Sequence, residues 1–570
     1  MGSSVSRMRP SKSKTRARIT APKPKVAGAV TRDAKPPKPQ PSASIGWAGA
    51  TFSGLALVAV ALMLVVLFGV FDAFHFGSIA DFFKPDSAAA AGTLGLVGGA
   101  EGVTLSIVLI CVMFGIQTTS SRYSPRIIEI FTRNPLNALV LSFALASILY
   151  TFLVRSEIKA SYVPMASVAV AEVLALVNFA ILFPYVIYVF EVMRAETLVG
   201  QIMRRARRSL RRRNQLMTCV AQVTDIAFGS IQLGDMPVCV VSIEVLGEFL
   251  AKSYVPAKKS MDAGWFKVGH AELPGASDQI IAEVNRSRTW FEYMVLSSFV
   301  DMVGLTPVHR KEAVHAIAVA TRNVGLAAIE IGDPEVAELC VRFFNTYLRS
   351  AINRSAPTFA SGIMNEYRRF AIGALEWRRD IAVEAAAHLL RYGRHFDEAG
   401  MPAIFGAAAE DVADLAIEAK VRDPQVSFRL AQLLVRNLLD LIPNARPIGL
   451  NGLFKGVAKL TCWAMAADEK DIAHVLVEGI AAAPPDFVDA ALSRMESMQT
   501  GLFWEVNERV IAFDWVEKPL RDQIPRLREA LRRTKAGSNG AVTELRDVPV
   551  IARDLVQPEP ASTPSTPAGS

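Results

Sequence analysis

The chain is poor in the side chains that most often do chemistry. Seven histidines and five cysteines are spread over 570 residues. The cysteines stand at 111, 219, 239, 340 and 462, with no CxxC spacing and one inside an apolar run. That excludes a disulfide framework and a zinc knuckle, and leaves the thiols as small buried hydrophobes in a reducing compartment. The near histidine pairs, His309 with His315 and His388 with His395, are six and seven residues apart, a poor spacing for metal ligands on one helix. No HExxH, GxxxxGK[ST], GxSxG or DxDxDG motif is present. The glycine-rich GTLGLVGGAEG (92–102) follows no strand, so it does not read as a phosphate loop. The expectation is a protein that is not an enzyme and holds no cofactor or metal.

Charge is also missing, from four long runs. Pro39 to Phe71 and Asn134 to Val154 carry none; Ser87 to Ser121 carries only Glu101, and Ala160 to Phe190 only Glu172. Each run reaches the roughly 20 residues that cross about 30 Å of hydrocarbon. Four spans are predicted, at about 47–71, 95–117, 135–155 and 165–190. The first is too long, and starts too far along the chain, for a cleavable signal.

The net charge of +8 is unevenly placed. Residues 1–45 carry +10 and residues 194–213 carry +7, which leaves −9 for the rest. The basic charge therefore flanks the spans, and the large C-terminal part is not basic, which argues against nucleic acid. Loop 72–97 holds Asp72, Asp81 and Asp86 against Lys84; loop 118–135 holds Arg122, Arg126 and Arg133 against Glu129. With the arginine run after Met193, every loop obeys the positive-inside rule, and both termini are expected in the cytoplasm.

Two acids fall within the spans. If spans two and four begin near Gly95 and Met165, Glu101 and Glu172 lie at similar depth, roughly 10 Å in. Intramembrane acids are costly and often functional, so the pair is a candidate site for a proton or cation. The plainer alternative places Glu101 at the interface.

The run Ser120-Ser-Arg-Tyr-Ser-Pro-Arg126, followed by IIEIFTRNPLNALVLSFALASILYTFLV, resembles the bacterial membrane-protein family domain of unknown function 2254. The likeness covers residues 45–215 and is sharpest at 118–155. The family's ALSPAINDP-like motif is absent here; NRSRTWFE (285–292) and RFFNTYLRSAINR (342–354) look like a long, helical-tailed branch. The resemblance implies the membrane topology and a bacterial inner-membrane location, and carries no activity. Within its loop, Tyr123, Ser124, Pro125 and Arg126 could anchor at the headgroup layer ahead of a short interfacial helix. A simple positive connector is the alternative.

Residues 201–213 read QIMRRARRSLRRR. On a helix continuing from span four, Arg204, Arg208, Arg211 and Arg212 fall along one side. Together with Arg205 they form a candidate contact for anionic lipid headgroups. No aromatics are interleaved for stacking on nucleic acid.

Residues 214–535 lack strand alternation and repeat an Ala-rich helix, an Asp-bearing turn and a second amphipathic helix. The turn aspartates are Asp235, Asp333, Asp380, Asp423 and Asp471, spaced 98, 47, 43 and 48 residues apart. The first spacing is about double, so a degenerate unit is expected near Trp290. A period near 45 matches helix-pair solenoids, with the aspartates as N-caps.

The sequence thus reads as all-α: a disordered basic arm (1–45), a four-span transmembrane module (46–193), an Arg-rich juxtamembrane helix (194–213), a cytoplasmic α-solenoid of helix-pair repeats (214–535) and a disordered Ser/Thr/Pro tail (536–570). The leading expectation is an inner-membrane scaffold that presents the solenoid to an unknown cytoplasmic protein. The rival is an ion channel or transporter, a homo-oligomer because four spans are few, with the solenoid as regulator.

Overall fold

A computed structural model describes residues 86–122, 135–160, 163, 165–444, 447–499 and 514–537. The basic arm, the first predicted span, the loop with Tyr123, Ser124, Pro125 and Arg126, and the tail lie outside the described residues.

Three apolar helices come first: α1 (Ser87–Arg122), α2 (Pro135–Glu157) and α3 (Met165–Val192). Each packs against the other two. Their burial is inverted relative to a water-soluble bundle. Of the 24 large hydrophobic side chains that are exposed among the described residues, 18 lie on these helices, including Phe114, Phe152 and Phe183. So large an apolar surface on three neighbouring helices fits lipid and not water. Two later helices, Arg213–Leu233 and Lys311–Ile331, are also long and apolar enough to cross a membrane. About half of each is buried inside the protein (50% and 56%), against 17%, 28% and 33% for the first three. Their apolarity is therefore already spent on the protein's own core.

Span two begins at Ser87, eight residues earlier than the charge pattern suggested. Glu101 meets Asn178, which lies six residues, about 9 Å, beyond Glu172 along α3, so the two acids stand at different levels of the bundle.

After α3 the helix does not continue. Arg194 is extended (φ −64°, ψ 130°), and a separate helix, α4 (Ala195–Arg208), follows. The cause is the stripe Leu198, Val199, Ile202, Met203 and Ala206, which is buried and draws α4 onto the domain behind it. Arg211 and Arg212 lie beyond α4, in the turn before α5 (Arg213–Leu233), and not on a continuous helix.

Next come α6 (Met236–Phe249), an irregular stretch 250–277, α7 (Asp278–Arg286) and α8 (Trp290–Leu305). Then follow α9 (Lys311–Ile331), α10 (Pro334–Asn353), α11 (Pro357–Ala374), α12 (Arg379–Glu398) and α13 (Pro402–Arg422). The last are α14 (Pro424–Leu441), α15 (Pro447–Ala466), α16 (Lys470–Ala481), α17 (Pro485–Ser497) and α18 (Ile524–Gly537). Among the described residues there is no β-strand. Two rows of helices form. In one, α6, α9, α11, α13 and α15 each touch the next; in the other, α8, α10, α12, α14 and α16 do the same. A single apolar core runs from Ala195 to Leu531 between them. On α10 an apolar stripe is buried throughout, from Val336 through Cys340 and Phe344 to Leu348. Where α13 crosses α15, Gly406 and Gly452 face each other; a Cβ on Gly452 would stand 2.6 Å from the Gly406 Cα, so only hydrogen fits there.

Three of the five turn aspartates are N-caps. Asp235 accepts from the Val238 amide at 3.5 Å, Asp333 from Val336 at 3.4 Å and Asp423 from Gln425 at 2.9 Å. Proline follows at the first or second helical position each time. Asp380 and Asp471 are corrections: each lies inside the first turn, behind Arg378 and Glu469 at the cap positions. There their negative charge lies beside the helix dipole's positive end. Asp380 pairs with Arg378 at 2.7 Å, and that hydrogen bond holds its carboxyl below the usual range.

Asp235→Ala should lower stability by about 1 kcal/mol, the ordinary value of a cap. Asp333→Ala should lower it further, because Asp333 also faces the buried amine of Lys258. Thermal unfolding of the two variants, side by side in the same detergent, checks the order.

Candidate functional site

Among the described residues of the membrane helices, one carboxylate is fully enclosed. Glu101 on α1 has no exposed surface. Ser147 Oγ donates to its Oε1 at 2.6 Å and Asn178 Nδ2 to the same oxygen at 2.9 Å; Thr151 Oγ1 donates to Oε2 at 3.3 Å. Three helices thus meet at one carboxylate. Neighbouring glycines permit the approach: a Cβ on Gly98 would lie 3.2 Å from the Thr151 methyl, and one on Gly95 2.9 Å from the Arg155 guanidinium. Glu172 is exposed on α3 beside exposed Val173, and is not among Glu101's partners. Of the three partners, Ser147 and Thr151 carry no motif in the sequence. Their spacing of four on a span, placing two hydroxyls on one face, was the available signal.

The arginines of the juncture split by position. Arg204, Arg205 and Arg208 are exposed on α4, and Arg211 and Arg212 are exposed in the following turn. Arg213 turns inward instead. Its guanidinium lies 4.9 Å from the Trp290 ring, donates to the Lys267 carbonyl at 3.1 Å and pairs with Glu272 at 3.3 Å.

Behind Arg213 lies a second buried cluster. The Lys258 amine is 3.0 Å from Glu292 and 2.8 Å from Asp333. Glu292 is wholly buried on α8, and Lys258 lies within the irregular stretch 250–277. Trp265 Nε1 donates to the Tyr254 hydroxyl at 3.0 Å beside it. Burial disfavours the Lys258 ammonium, but two carboxylates outweigh it and raise the amine above its usual value. Burial raises Glu292, with Asp333 adding to it against the opposing pull of Lys258. The rise at Lys258 follows from two acids sharing one amine, and the rise at Glu292 follows first from its burial. Tyr254 is pushed well above its usual range, first by burial and then by Glu292.

A recess of about 500 Å³ opens between α7, α8 and α10. Ile280, Val284, Tyr293 and Phe343 line it with apolar surface, and Glu283 faces Arg342 across it at 3.6 Å. Among the described residues no three His, Cys, Asp or Glu converge to hold a metal ion.

The inverted burial and the enclosed Glu101 define a helical membrane protein. Residues 47–227, about a third of the chain, match the family model described as "Predicted membrane protein (DUF2254)". The match ends within α5, so α6 to α18 lie beyond it. No curated protein and no solved structure matches the chain.

Glu101→Leu removes the acceptor shared by α2 and α3, and should cost on the order of 1–2 kcal/mol, the range of polar contacts between membrane helices. Glu172→Leu, on exposed surface, should not destabilise. Unfolding midpoints of the two variants in one detergent test the contrast. A second prediction concerns pH. Glu292's raised value means its contribution is fully present below the ordinary carboxyl value of 4.5 and is lost as pH rises through the folded value. Glu292→Gln lacks that loss, so its melting temperature relative to the unaltered protein should climb as pH rises from 4.5 to 8. A flat difference would show that Glu292 does not titrate differently on folding.

Proposed function

We propose that the protein is a scaffold of the bacterial inner membrane, with four spans, both termini in the cytoplasm, and an α-solenoid that presents a surface to a cytoplasmic protein. The observation that carries this reading is the two-row packing of α6 to α16, in which each helix touches the next in its own row. Stacked helix pairs bury one continuous core and leave long surfaces free for partners. The recess between α7, α8 and α10 is the place on that surface with an apolar floor and a charged rim. The reading assigns the protein no reaction.

A second reading rests on Glu101, an acid enclosed where three helices meet. It makes the membrane helices part of an oligomeric channel or transporter, with the solenoid as its regulator. The neutral donors around Glu101 and the distance in depth from Glu172 support the anchor instead, since the carboxylate's hydrogen bonds are already made within the bundle.

Photo-crosslinking residues placed at Gln279, Arg342 and Thr346 around the recess, in the full-length protein in its membrane, test the scaffold. One discrete adduct at these positions and none at exposed Val421, abolished by Tyr293→Ala, is expected. Equal labelling at all four positions, or none, counts against it. Cation and proton flux in liposomes tests the alternative: flux that disappears in E101Q/E172Q would favour a pore.

A further inference from the structure

We propose that the exposed arginines of α4 and its turn dock the domain on anionic phospholipid of the bilayer that holds α1 to α3. This rests on the reading of those helices as membrane-spanning. Three observations place the surface. α4 starts three residues after α3 ends, so its arginines stand next to the end of a span. Its apolar stripe is already buried against α5 and α6, so α4 cannot insert in lipid as an amphipathic helix; only its cationic side is available. Among the described residues, Arg204, Arg205, Arg208, Arg211 and Arg212 have no carboxylate within ion-pair distance, unlike Arg207, which lies 4.0 Å from Glu248, and Arg213, which is held by Glu272. Five guanidiniums left without acids, on 9 consecutive residues beside a membrane helix, match a sheet of phosphate groups better than a single ligand. The contact is electrostatic, so it weakens within a Debye length of about 8 Å at physiological salt and more steeply at high salt.

Hydrogen exchange on the full-length protein in nanodiscs is the test. One set of discs holds phosphatidylcholine alone and the other one third phosphatidylglycerol. Amides of 204–213 are expected to exchange several-fold more slowly in the anionic discs, with the gap closing in 1 M salt and α11 unchanged. The variant R204Q/R205Q/R208Q/R211Q/R212Q should lose the gap while keeping its melting temperature, because all five side chains are exposed. Equal exchange in both discs, or a gap that survives in the variant, overturns the proposal. The same spectra report on α1 to α3. If their amides exchange freely in discs, the membrane reading itself has failed, and the lipid contact with it.

Discussion

The burial of one short helix makes a single molecule from two chemically opposite halves. α1 to α3 turn their large apolar side chains outward, while the helices from α5 onward turn theirs inward. α4 belongs to the second kind. Its stripe from Leu198 to Ala206 is part of the long core, whereas α1 to α3 keep separate clusters of their own. Burying five apolar side chains is worth several kcal/mol at about 25 cal/mol per Å². That gain is what breaks the helix at Arg194 rather than letting a rod project from the membrane. The direction of the domain relative to the spans, and the side on which the arginines appear, both follow from that break.

Two buried polar clusters show opposite solutions to one problem. Glu101 is enclosed with neutral donors only, so its charge is met by three oriented dipoles. Glu292 is enclosed with an amine and a second acid, so its charge is met by a charge. The second arrangement ties distant segments together. Lys258 comes from the irregular stretch, Glu292 from α8 and Asp333 from the cap of α10. Removing one member leaves the others uncompensated in the core, which is far costlier than losing a surface pair. The stretch 250–277 thus reads as an insertion stapled into the stack where the repeat spacing doubles.

What the sequence made legible was whatever repeats or is excluded over many residues. The apolar runs of α1 to α3, the stripe on α10 and the caps at Asp235, Asp333 and Asp423 follow from local periodicity and first-turn chemistry, and the structure has them. The family resemblance, drawn from a few loop residues and one span, holds over 47–227. What local pattern could not supply was contact between distant positions. Span starts near Gly95 and Met165 put Glu101 and Glu172 at one depth, whereas a carboxylate is better met by hydroxyl and amide donors, and Ser147, Thr151 and Asn178 are not charged. Asp380 and Asp471 match the caps by their place in the repeat, but each lies two residues past its cap position, inside the first turn. Lys258 and Glu292 carried no motif at all. Only the folding of 250–277 brings them together.

Charge then distinguishes the faces of the helical domain. Residues 214–535 hold 40 acids against 35 lysines and arginines, so the stack as a whole is repelled by an anionic surface. The segment 194–213 is +7, and its exposed arginines lie at the one end where the chain emerges from α3. A body with a negative bulk and a positive root, tethered by that root, has one favoured orientation on an anionic bilayer: the root toward the headgroups, the remaining surface toward water. Orientation of this kind requires no added contact from the repeats.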